Sequence, residues 1–326
     1  MGEANASGPR PLKVFVKPGS KAELICRRYA AHAKVEAKRQ PPHAEIIAAG
    51  FRPRPELDLN DRGWKVIPDL TYTNFFIGEG GWRAQDRKNI DTNLERAMSE
   101  PHLNNVLLQY FRGAMKISST FRQSTSLPGD APSSMSQPEI EKLLRTLHTQ
   151  GKLKGFDFGN TVFNFMLPRG SVLTIDDGPS DRSGSAIYTS DAGEADEKAT
   201  SLEGLGGFHG SLRIGQATLY YSVGVFSEGN NGIVAFDESW KNVVATFYHE
   251  LVEARTDADV ENGEVAWVNN ERPGEEIGDI PMTLAGPNLG KVMKEVPLAD
   301  GLGTVPIQLM WSNAVHGPEG PIPVPH

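Results

Sequence analysis

Trp240 to Asp257 reads WKNVVATFYHELVEARTD, and the spacing of its side chains sets the expectation for the residues around it. At about 100° per residue, Val243, Val244, Phe247, Leu251 and Ala254 fall on one side, which predicts an amphipathic helix from Ser239 to about Thr256. His249 and Glu253 fall together on another side, one turn apart. Such a pair brings two donor side chains to one metal ion, and Glu250 between them is placed to accept a proton from a water at that ion. The plainer alternative is a helix in which His249 and Glu253 only pair with each other.

Downstream, Gly274 to Ile280 reads GEEIGDI. Folded as a short helix, it would put Glu275 or Glu276 on the same face as Asp279. HELVEARTD and GEEIGD resemble the two motifs of the thermolysin-like gluzincins, with Glu253 standing where that family has its second histidine. The resemblance implies His249 as the first ligand, Glu250 as the general base and Glu275 as the third ligand. It also implies Asp279 as the hydrogen-bond partner that orients the first histidine. A His-Glu-Glu set would neutralise a divalent ion. One zinc ion is the expectation, and the oxygen-rich ligation also suits Mn²⁺ or Ca²⁺.

A wider resemblance covers most of residues 66–320. GFHG with Phe208 and His209, the strand-like Tyr221 to Gly224, HELVE, Trp267, EIGD, and QLMWS from Gln308 to Ser312 ahead of a Gly-Pro tail follow one another. This succession is similar to the EXORDIUM or phosphate-induced protein family, whose Glu-Ile-x-Asp segment matches Glu276 rather than Glu275. Within it, His209 stands as a further ligand or as a group that polarises a substrate carbonyl, the alternative being a satisfied loop histidine. His316, in NAVHGPEG, stands as a transition-state donor, the alternative being an exposed tail residue. The chain lacks that family's signal peptide and cysteines, so secretion and cell-wall roles do not carry over.

The segments before the motif helix alternate in character. Val66 to Ile77, Ile117 to Ser126, Thr161 to Leu167 and Thr218 to Phe226 read as strands. Gln85 to Phe111 reads as a helical run interrupted at Pro101. Ser136 and Glu139 form a capping box ahead of Ile140, Leu143, Leu144 and Leu147. Asp176 to Gly207 is rich in Gly, Ser and Asp and reads as a long connection too polar for a core element, its acidic side chains solvated. The order predicts an α/β (α+β) fold, a zincin-like mixed sheet carrying the active-site helix. Residues 1–60 read as a basic N-terminal extension and linker with an Ala-rich helix inside Lys21 to Gly50, and residues 61–326 as the metallohydrolase domain.

Composition bounds the partners. The 326 residues carry a net charge of −8, yet residues 1–54 hold 11 Lys and Arg against 4 Asp and Glu. No aromatic interleaving accompanies those charges, so the reading is a basic flank rather than a nucleic-acid surface. No apolar run reaches the roughly 18 to 20 residues that a membrane helix needs. The start, MGEANASGPRPLK, has no apolar stretch of a secretory signal, which places the sequence as it stands in the cytoplasm. Cys26 is the sole cysteine, excluding an intramolecular disulfide and a Cys-rich zinc module. The expectation is a metal-dependent hydrolase of peptide or protein substrates. Its rival is a non-catalytic EXORDIUM-like binding or signalling protein.

Overall fold

Alternation along the strands already requires cover on both faces of the sheet. In Asp69–Phe76, Leu70, Tyr72 and Phe76 enter one core while Phe75 enters another. In Thr161–Met166, Val162 and Met166 divide in the same way from Phe163 and Phe165. The computed structural model describes residues 13–28, 47–175, 199–260, 263–272 and 274–326. Its central sheet comprises β1 (Val14–Val16), β2 (Asp69–Phe76), β3 (Ser118–Ser126), β4 (Thr161–Met166), β5 (Leu205–Ile214) and β6 (Ala217–Gly224), in the order β1-β5-β6-β4-β2-β3. Strands β6, β4, β2 and β3 run parallel. Strand β5 is antiparallel to both neighbours, β1 and β6. The fold is α/β with a mixed sheet, as the sequence pattern predicts.

Helices α1 (Lys21–Arg28), α2 (Ala84–Ser99), α3 (Pro101–Leu107), α4 (Gln137–Thr149), α5 (Ser239–Thr256) and α6 (Asp279–Ala285) pack around that sheet. Ile90 and Leu94 of α2 join Val243, Phe247 and Leu251 of α5 on one face. Ile140, Leu144 and Leu147 of α4 cover the other with Ala22, Ile25 and Cys26 of α1. The capping box at Ser136 and Glu139 is formed, and Pro101 separates α2 from α3. A hairpin of β7 (Met293–Pro297) and β8 (Thr304–Gln308) packs against α5. No helix among the described residues is long and apolar enough to cross a membrane.

Two expectations need correction. The polar connection ends before Gly207: residues 205–214 form β5, the strand second from the sheet edge. Gly206 and Gly207 read as loop punctuation, but they serve close packing. A Cβ on Gly207 would lie 2.5 Å from the Val223 carbonyl oxygen and 2.9 Å from Glu250 Oε1. The acidic residues Asp176, Asp177, Asp181, Asp191, Glu194, Asp196 and Glu197 lie outside the described residues, as does most of the expected Ala-rich helix beyond Arg28. The second correction concerns GEEIGDI. Its helix, α6, begins only at Asp279, so Glu275 and Glu276 sit in the turn before it. Gly278 precedes that helix. Val14–Val16, from the segment read as an extension, pairs with β5 and buries all three side chains.

Candidate metal centre

Helix α5 is buried on every side from Asn242 to Thr256, so its polar side chains have only protein to face. One turn separates His249 from Glu253, and Glu250 turns toward the gap opened by Gly207. Along β5, Phe208 points into the α4 layer, so its neighbours Gly207 and His209 point toward α5. Of the two glutamates before α6, Glu276 reaches the cluster. Glu275 instead accepts from Arg272 Nη1 and from the Thr283 hydroxyl, both at 3.2 Å.

These side chains form two groups whose donor atoms lie within 4.8 Å of one another: His249, Glu250 and Glu253, and His209, Glu253 and Glu276. All five residues are at most 2 % exposed. His249 Nε2 stands 3.0 Å from Glu253 Oε2. His209 Nδ1 lies 3.5 Å from Glu250 Oε2 and 3.8 Å from Glu253 Oε2, while its Nε2 lies 3.6 Å from Glu276 Oε1. Both ring nitrogens of His209, Nε2 of His249, both oxygens of Glu250 and Glu276, and Oε2 of Glu253 make no hydrogen bond. The 3.0 Å contact between His249 and Glu253 is short but misaligned for one. Plain pairing of His249 with Glu253 therefore does not satisfy the cluster. Buried polar atoms are ordinarily satisfied, and donor atoms around one tetrahedral ion stand about 3.3 to 3.6 Å apart. The cluster is close enough to hold a metal ion.

Electrostatics agree with that donor set. Burial pulls the His209 imidazole down to about 4, against the opposing charge of Glu253, so the ring is neutral and able to ligate near neutral pH. Burial, then the neighbouring carboxylates, push Glu250 and Glu276 well above the usual carboxylate range. Asp257, at the end of α5, is pushed up in the same way and has one oxygen without a hydrogen bond.

The orienting partner of His249 is not Asp279. Gln308 Oε1 on β8 lies 3.0 Å from His249 Nδ1, and Gln308 Nε2 donates to the Gly278 carbonyl at 2.6 Å. Because the glutamine amide is fixed by that donation, its oxygen meets a protonated Nδ1 and leaves an unprotonated Nε2 facing the cluster. Asp279 Oδ1 lies on the Nε2 side, 4.0 Å away. The Gly278 amide donates to Glu253 Oε1 at 3.0 Å, holding that carboxylate so that Oε2 faces the cluster. His316 is not brought to the site. It adopts φ 57° and its Nδ1 bonds Asp58 Oδ2 at 2.7 Å. Phe15 of β1 packs on His249 with ring centroids 4.1 Å apart. Gln308 carries no sequence signal for its role, because its contact spans two elements remote in the chain. Comparison with protein-family models, curated proteins and solved structures finds no match to this chain.

Proposed function

We propose that the chain is a metal-dependent hydrolase of peptide bonds, with zinc as the ion and Mn²⁺ or Ca²⁺ as oxygen-tolerant alternatives. The observation that carries the reading is the set of buried imidazole and carboxylate atoms that converge without hydrogen bonds of their own. The resemblance of HELVE and EIGD to gluzincin and EXORDIUM-family motifs supports the reaction class. His249 and Glu253 from α5, His209 from β5 and Glu276 from the turn before α6 make up the donor set. When bound, the metal supplies a Lewis acid for a substrate carbonyl and activates water. Glu250 takes up the proton and delivers it to the leaving amine, a role suited to a carboxyl group whose affinity for protons is raised by burial. Gln308 fixes the ring of His249, and Gly278 fixes the carboxylate of Glu253.

Metal analysis paired with Glu250→Gln tests this. The variant is expected to keep its metal while turnover of a quenched peptide library falls about 10²- to 10⁴-fold. A folded wild type that takes up neither Zn²⁺ nor Mn²⁺ would overturn the proposal. Complete burial of the donors favours a second reading, a non-catalytic EXORDIUM-like binding protein. Metal-loaded protein that cleaves no peptide would select it.

A further inference from the structure

We propose that this centre holds two divalent cations bridged by Glu253. The inference rests on reading the cluster as a metal centre and goes beyond the single ion of the hydrolase motif. Its first support is geometric. The two donor groups share Glu253 and no other residue. His249 belongs to one, and His209 and Glu276 to the other. Glu253 Oε1 is occupied by the Gly278 amide, so Oε2 alone faces both histidines, at 3.0 Å from His249 Nε2 and 3.8 Å from His209 Nδ1. A single carboxylate oxygen between two donor groups suits paired ions about 3.5 to 4 Å apart. The first ion lies with His249 and Glu253, with Glu250 beside it as proton acceptor. The second lies with His209, Glu253 and Glu276.

The second support is charge. Glu250, Glu253, Asp257, Glu276 and Asp279 are all at least 95 % buried. They act on one another electrostatically. Lys13, 3 % exposed, is the lysine whose charge acts on His209. Carboxylates buried this close together call for positive charge among them, and a pair of divalent ions supplies more of it than one.

The test is metal stoichiometry on the full chain, stripped with chelator and titrated with MnCl₂. Wild type is expected to bind two Mn²⁺ per chain with the electron paramagnetic resonance signature of an exchange-coupled pair. His209→Ala and His249→Ala are each expected to retain one uncoupled ion. Saturation of folded wild type at one ion, or a pair without coupling, would overturn the proposal whether or not the variants fold. A chain that saturates at one ion and cleaves peptides removes the second cation and leaves the hydrolase reading intact. A chain that binds a coupled pair and cleaves nothing does the reverse.

Discussion

Gly278 shows how closely the centre is packed at the scale of one residue. A Cβ there would lie 2.4 Å from His249 Nδ1 and 2.9 Å from Glu253 Oε1, although the backbone at φ −89° suits any residue. Gly278→Ala is therefore expected to push the imidazole off Gln308, weaken metal binding about 10- to 100-fold and cost about 1 to 3 kcal/mol. Competition with a fluorescent chelator and urea unfolding measure the two effects, and unchanged affinity would remove Gly278 and Gln308 as positioning groups. Asp58 provides a test away from the metal. Burial raises its pKa from 3.8 to about 6, against the opposing pull of His316 and Trp311. The folded chain thus keeps a proton that the unfolded chain releases. The associated stability is fully present below about pH 4 and is lost as pH rises through about 6. Asp58 is partly open to solvent, so the amount is discounted to about 1 kcal/mol. Asp58→Asn removes the titration, and its stability relative to wild type is expected to rise by that amount between about pH 4 and pH 7. Parallel pH profiles for the two proteins in urea unfolding would refute this.

Elements are joined here by buried polar clamps as well as apolar faces. Arg255, fully buried near the end of α5, donates to the carbonyls of Ile67 and Pro68 ahead of β2 and of Ser118 on β3. Its guanidinium lies 5.0 Å from the Phe111 ring centre. Arg255→Leu keeps bulk but removes the guanidinium's bonds to all three carbonyls, the Pro68 carbonyl keeping the Ser118 amide, so a loss of about 3 to 5 kcal/mol is expected. Arg255→Lys is expected to recover only part, since an ammonium lacks the planar fork that spans three carbonyls. Chemical unfolding checks both, and a loss below about 1 kcal/mol for Arg255→Leu would refute the clamp. The helices with strong periodicity or caps, α4 and α5, were legible in the sequence, as were β2, β3, β4 and β6 with their β-branched and aromatic side chains. Strand β5 was not, because Gly206 and Gly207 are chosen for closeness to Phe15 and α5 rather than for strand propensity. The register of Glu275 and Glu276 was illegible for a related reason. A turn replaces the expected helix, so i, i+4 arithmetic from Asp279 does not apply.

Across the whole molecule, the candidate donors come from β5, α5 and the turn before α6; the sequence pointed to His209, His249, Glu250 and Glu253, left Glu275 and Glu276 as alternatives and added His316, without showing what encloses them. The enclosing strand is β1, from the other end of the chain. Its alternation sends Val14 and Val16 into the α4 layer and Phe15 into the α5 layer, where the ring packs at a tilt on His249 and lies against Gly206. Strand β1 spans three residues at the sheet edge and, among the described residues, pairs with β5 alone, so it is held by few ladder hydrogen bonds. Removing the Phe15 ring should therefore do two separable things. It deletes a fully buried aromatic side chain, and Phe15→Ala is expected to cost about 3 to 5 kcal/mol in urea unfolding. It also uncovers one face of His249, so loss of Mn²⁺ or Zn²⁺ to excess chelator is expected to quicken about tenfold or more, given local opening of a weakened edge. Phe15→Leu retains most of the packing and separates the effects: stability near wild type with fast metal loss would assign the ring to closure of the site. A Phe15→Ala protein that loses stability but releases metal at the wild-type rate would show that ions reach the cluster from another side, and β1 would then be a structural strand only.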